Sequence, residues 1–136
     1  MPHIIITIPG KPVSKKRPRF VRRGNFVHSY NPQETEEGRW ILVARQQIQE
    51  KIPEGVAISL QCFFYLPIPK GTSRKKRESL FYHTKKPDLS NCLKFVEDCL
   101  TGELWYDDSQ IARVTAMKMY SEDPRTDIEV EWGCGF

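Results

Sequence analysis

From Val56 to Leu66 apolar residues recur at every second position, at Val56, Ile58, Leu60, Cys62 and Phe64. Side chains on an extended strand alternate between its faces, so this spacing turns one whole face of a long strand toward a core. A strand of that length and polarity is expected at the centre of a sheet, and the remaining elements must supply its neighbours and its cover.

Two amphipathic helices can provide the cover. Leu89, Cys92, Leu93, Val96 and Leu100 form one apolar face of a helix over 88–100, with Asn91, Lys94 and Asp98 on another and Thr101-Gly102 as the stop. Between Gln33 and about Lys51 there is no internal proline. Trp40, Ile41, Ala44 and Ile48 recur at helical spacing behind the acidic first turn Glu34, Glu36 and Glu37, and Pro53 and Gly55 end the run.

The β-branched stretch His3–Ile8, closed by Pro9-Gly10, reads as a first strand. A hairpin is expected around Gly24-Asn25. Trp105–Tyr120 alternates weakly and is expected to be a strand following an Asp-Asp turn, and Ile128–Trp132 a last one. The order strand, helix, strand, helix, strand, strand implies an α+β fold with a mixed sheet and two main helices. A chain of 136 residues suits one domain, taken here as 1–136.

No run approaches the roughly 18 to 20 apolar residues of a membrane span. The apolar start Ile4–Ile8 lacks the charged lead and cleavage site of a signal peptide, so a cytoplasmic protein with no membrane partner is expected. The cysteines Cys62, Cys92, Cys99 and Cys134 are scattered, without a Cys-x-x-Cys pair or histidines at ligand spacing. Buried free thiols are expected rather than a zinc site or a disulfide.

Charge is segregated more sharply than the net value of +4 suggests. Residues 11–23 hold Lys11, Lys15, Lys16, Arg17, Arg19, Arg22 and Arg23 with no acid. Residues 67–87 hold Lys70, Arg74, Lys75, Lys76, Arg77, Lys85 and Lys86 against Glu78 alone, so the rest of the chain is net acidic. Like charges crowded into one segment repel unless a polyanion uses them, and nucleic acid is the simplest such partner. The second run, rich in proline and with little periodicity, reads as a mobile loop with room for a short helix. Phe20, Phe26 and Tyr30 lie among the first cations; burial in the core is their expected role, with stacking platforms for single-stranded RNA the alternative.

The chemistry concentrates in Lys86-Pro87-Asp88-Leu89-Ser90-Asn91 and Tyr106-Asp107-Asp108-Ser109-Gln110. Asp88, Asp107 and Asp108 bracket one helix-plus-turn unit and offer the hard oxygen ligands that magnesium takes, with manganese as an alternative ion. A cation held there between basic segments suits phosphodiester chemistry. Each residue also has a plainer role available: Asp88 can cap the helix, one of Asp107 and Asp108 can brace its turn, and Lys94 can pair with Asp98 one turn on. In the chemical reading Lys94 neutralises a scissile phosphate, Asn91 orients a ligand, and His83 contacts phosphate from the basic loop.

The start Gly10-Lys11-Pro12-Val13-Ser14-Lys15-Lys16-Arg17-Pro18-Arg19, the Lys86–Asn91 motif with Lys94 and Asp98, and Asp107-Asp108-Ser109-Gln110-Ile111 together resemble the RusA family of Holliday junction resolvases over most of the chain. The resemblance implies a small homodimer, often phage or prophage encoded, that binds four-way DNA junctions and uses magnesium to nick two strands symmetrically, its two-fold axis matching the junction. It further implies that Asp88, Asp107 and Asp108 are the metal-binding catalytic carboxylates and Lys94 the functional lysine. Lys11, Lys15, Lys16, Arg17, Arg19, Arg74, Lys75, Lys76, Arg77, Lys85 and Lys86 would hold the junction arms.

One position departs from the pattern. The family usually reads Asp-x-Asp-Asn, and here the second acid is Ser90, a neutral and poorer magnesium ligand. Three consequences compete. Asp98 or Glu97 compensates, with Asp98 the better placed if it shares the Asn91–Lys94 face; Ser90 holds a metal-bound water; or the protein binds branched DNA while cutting slowly or not at all.

Overall fold

The computed structural model of the chain describes residues 2–16 and 19–136, with the side chains of Arg19, Val21, Arg23, Phe26, His28, Ser29 and Tyr30 left undescribed. Six strands run in chain order: β1 (His3–Pro9), β2 (Arg19–Arg23), β3 (Phe26–Tyr30), β4 (Ile58–Pro67), β5 (Ile111–Ser121) and β6 (Arg125–Trp132). Among the described residues three α-helices separate them: α1 (Glu34–Arg45), α2 (Arg74–Ser79) and α3 (Leu89–Leu100). The protein is a single small α+β domain.

The main sheet has the order β1-β6-β4-β5. The alternating strand β4 lies inside it, antiparallel to β6 and parallel to β5, so the sheet is mixed. Parallel neighbours need a crossover, and the α2–α3 segment supplies it. The register aligns the inward residues in rows: Ile6 faces Ile128, which faces Cys62, while Val130 faces Leu60. These side chains are buried against Trp40 and Ala44 of α1 and against Cys92, Phe95, Val96, Cys99 and Leu100 of α3. At the centre of the layer the Trp40 and Phe95 rings meet edge to face at 5.0 Å, a favoured aromatic arrangement.

Several sequence expectations meet the structure closely. α3 begins one residue after Asp88 and ends at Leu100, followed by Gly102, whose φ of 91° suits a residue without a Cβ. The hairpin turns at Gly24-Asn25.

Others need correction. α1 stops at Arg45 rather than near Lys51, because Gln47 is used differently: its side-chain amide accepts from Thr7 N and donates to Thr7 O, stitching the chain to β1. The strand expected from Trp105 begins only at Ile111, since 108–110 form a 3-10 turn. The 67–87 segment contains α2, capped by the Ser73 side chain, and its end lies along the free edge of β5 through Tyr120 N to Phe81 O (2.8 Å) and His83 N to Lys118 O (3.0 Å). Phe20 is 71% exposed rather than in the core, while Phe26 and Tyr30 fall among the undescribed side chains.

All four cysteines are free; Cys62, Cys92 and Cys99 are buried and Cys134 is exposed. Burial pushes the Cys92 thiol up to about 11 and that of Cys99 to about 12, so both stay protonated and inert. Among the described residues no helix is long and apolar enough to cross a membrane.

Candidate active site

Asp88 occupies the N-cap position of α3, with extended backbone angles, yet its side chain makes no capping bond. Its Oδ1 accepts instead from Lys86 Nζ at 2.9 Å, and the carboxylate is half exposed. The chain leading to it is held from the sheet. Lys118 of β5 donates to the carbonyl oxygens of Lys85 (2.7 Å) and Pro87 (2.6 Å), and its ammonium lies 3.4 Å from His83 Nδ1.

The two downstream aspartates divide their roles. Asp107 caps the 3-10 turn by accepting from Ser109 N at 2.9 Å, and Gln110 Oε1 in turn accepts from Asp107 N and Tyr106 N. Gln110 is buried and also donates to Pro53 O and Val56 O, tying the turn to the base of β4. The Ser109 amide, then its hydroxyl and a hydrogen bond with Asp108, hold the Asp107 carboxyl below its ordinary value. Asp107 therefore braces the turn, and Asp108 stays exposed beside it.

Glu97 of α3 lies near enough to Asp108 to feel its charge. Burial pushes the Glu97 carboxyl above its ordinary value; Lys94 opposes this, and the negative charges of Asp108 and Asp98 add to it. Ser90, Lys94 and Glu97 follow one another at i, i+4 and i+7, which places them on one face of α3. Asp98 does share the Asn91–Lys94 face, but it is engaged there by Lys94 (3.3 Å) and by Lys15 (3.2 Å). Of the two acids offered as substitutes for the missing carboxylate, Glu97 feels the charge of Asp108 and has no ion-pair partner among the described residues, while Asp98 is already neutralised. The seven-residue spacing from Ser90 is the sequence signal that could have pointed to Glu97, whereas the Asn91–Lys94 face pointed to Asp98.

The basic segments are only partly free. Lys15 also pairs with Glu37 (3.0 Å), and its backbone N donates to Asn91 O (2.9 Å). Burial works against its charge, but the hydrogen bonds and charges of Glu37 and Asp98 outweigh it and raise the pKa. Lys15 is therefore a staple between the N-terminal loop, α1 and α3. The buried Gln33 fixes the same loop by accepting from Lys16 N and donating to Ser14 O. Arg77 pairs with Glu122 at 3.1 Å. Lys11, Lys16, Arg74, Lys75, Lys76 and Lys85 are exposed and, among the described residues, have no carboxylate within ion-pair distance. Arg17 lies outside the described residues, and Arg19 is described in its backbone alone.

The two basic runs meet at His83. Burial lowers its pKa first, and then Lys118, Lys11 and Lys85 do so in turn, against a backbone hydrogen bond at Lys85 that raises it. Lys11 comes from the first run and Lys85 from the second, so the fold concentrates positive charge just ahead of Asp88.

Among the described residues no three His, Cys, Asp or Glu side chains gather closely enough to hold a metal ion. Magnesium commonly takes one or two carboxylates and completes its shell with water and substrate phosphate. Asp108 and Glu97, whose charges act on each other, are the acids that would answer that smaller requirement.

The sequence model of the family described as endodeoxyribonuclease RusA matches residues 9–131. The chain belongs to the RusA family. It is 36% identical over 135 residues to the uncharacterized protein YqaN of Bacillus subtilis (strain 168), covering 93% of this chain and 94% of that protein. It is also 28% identical over 121 residues to the crossover junction endodeoxyribonuclease rusA of Lactococcus phage r1t, covering 88% of this chain and 82% of the phage protein. Within this RusA-family chain, both recognisable motifs fall at the ends of α3 and β5, and the matched span includes every site residue discussed above.

Proposed function

We propose that the protein is a structure-selective endodeoxyribonuclease that resolves four-way DNA junctions, working as a homodimer with magnesium. The observation that carries this reading is that Asp108, from the 3-10 turn, lies near enough to Glu97 and Lys94 of α3 for their charges to act on one another, with Asp88 at the head of the same helix behind a cluster of unpaired lysines. Membership of the family and the name of the phage relative support the substrate class.

Asp108 and Glu97 would hold the ion, with Asp88 joining when a phosphate competes for Lys86. When bound, magnesium supplies charge neutralisation at the phosphate and a water of lowered pKa for in-line attack. Lys94, half exposed and held weakly by Asp98, is free to turn to the non-bridging oxygens as negative charge develops. Lys118 keeps the Lys85–Pro87 chain, and with it Asp88, in place. Lys11, Lys76 and Lys85 grip the backbone of the arms, a contact paid in released counterions and therefore steeply salt dependent.

A second reading has the protein bind branched DNA without cutting it. Ser90 in place of an acid and the lack of a three-donor cluster among the described residues favour it. Cleavage of a labelled four-way junction beside matched duplex, with magnesium, manganese or chelator, decides between them. Paired metal-dependent nicks that vanish in Asp88→Asn and Asp108→Asn support the nuclease; tight junction binding without nicks in either metal supports the binding module.

A further inference from the structure

A cavity of about 610 Å³ opens between the Pro69–Ser73 turn, α2 and the segment from Leu80 to Lys85. That volume lies within the usual range for a small-molecule site. Lys70, Lys76 and Lys85 line it, no carboxylate does, and none of the three lysines has an acidic partner among the described residues. Their neighbours Arg77 and Lys86 do have such partners, whereas all three lysines that line the cavity are uncompensated.

The other wall is aromatic. Tyr82, 61% exposed, and Tyr120 both line the cavity. Their backbones are fixed to the sheet edge by the pairing of Tyr82 with Met119 and by Tyr120 N to Phe81 O. Backbones held by a sheet spare part of the ordering cost of receiving a ligand, and a planar π system is the ligand these rings suit. Three ammonium groups beside two phenol rings match one chemical unit, an anionic phosphate attached to a planar base.

We propose that this cavity is a subsite for an unstacked nucleotide of a DNA strand, with its base against Tyr82 and Tyr120 and its phosphates against Lys70, Lys76 and Lys85. Lys85 also belongs to the chain that Lys118 holds ahead of Asp88, so a nucleotide seated here lies next to the proposed cleavage site. The inference rests on the nucleic-acid reading above and adds to it a place where base stacking, rather than charge alone, selects unpaired DNA.

The test compares binding of a short labelled single strand with an abasic strand of equal length, which keeps the phosphates and removes the bases. A four-way junction and deoxyadenosine monophosphate as competitor are run in parallel. Wild type should prefer the base-bearing strand by about fivefold or more, the size of one stacking contact. Tyr82→Ala should abolish the preference while leaving abasic binding unchanged, Tyr82→Phe should keep it, and Lys76→Gln combined with Lys85→Gln should weaken both strands. Equal binding of the two strands by wild type, or a preference that survives Tyr82→Ala, would overturn the proposal. Competition by the free mononucleotide at micromolar concentration would also overturn it, by assigning the cavity to a metabolite. Junction binding without base preference removes only this subsite; base preference without junction binding removes the resolvase reading and leaves the subsite standing.

Discussion

The Lys118 ammonium stands 2.6 Å from the Pro87 carbonyl oxygen, a contact from the middle of an edge strand to the residue that precedes Asp88. With the second bond to Lys85 it makes one cation the anchor of an otherwise irregular connection. Two hydrogen bonds from a charged donor are worth more than their neutral equivalents.

Replacing Lys118 with Met should therefore lower stability by about 1–3 kcal/mol and reduce junction cleavage more than junction binding. Lys118→Arg should recover part of both. Chemical denaturation alongside a single-turnover assay separates the effects, and a Met variant that cuts normally would remove Lys118 from the positioning role.

Asp107 and Asp108 are adjacent in sequence but not equivalent. Asp107→Ala should lower the melting temperature, with Asp107→Asn milder because an amide oxygen still accepts from Ser109 N. Asp108→Asn should leave the melting temperature near that of wild type and abolish metal-dependent cleavage. Thermal melts paired with nicking assays would expose a reversed pattern at once.

His83 makes stability depend on pH in a definite direction. Its folded pKa lies below the ordinary value of 6.5, so the unfolded chain takes up the proton first as pH falls. The contribution is complete above about pH 6.5 and is lost as pH falls from there toward the depressed folded value. An NMR titration should find the His83 resonance shifting below the usual midpoint, and Lys118→Met should move that midpoint up.

Phe95 is fully buried against Trp40 where α3 meets α1. Phe95→Ala should cost about 3–5 kcal/mol in urea unfolding. Phe95→Leu, which keeps most of the volume, should cost clearly less.

What local pattern encodes was legible before any fold was known. The period-two run of β4, the apolar face of α3, the Gly24-Asn25 hairpin and the two acidic motifs each follow from residues a few positions apart, where geometry is fixed by strand or helix repeat alone. The end of α1 was not legible, because Gln47 leaves the helix for a partner forty residues away in β1.

The same limit applies at the site. Sequence could name Asp88, Lys94, Asp107 and Asp108 and could divide the cations into two runs. Only packing decided that Asp107 serves its own turn, that Asp98 and Lys15 neutralise each other, that Glu97 feels the charge of Asp108, and that Lys11 and Lys85 both act on His83. Those outcomes depend on which charges a mixed sheet and its crossover bring near one another, and interaction energy varies with that distance rather than with separation along the chain.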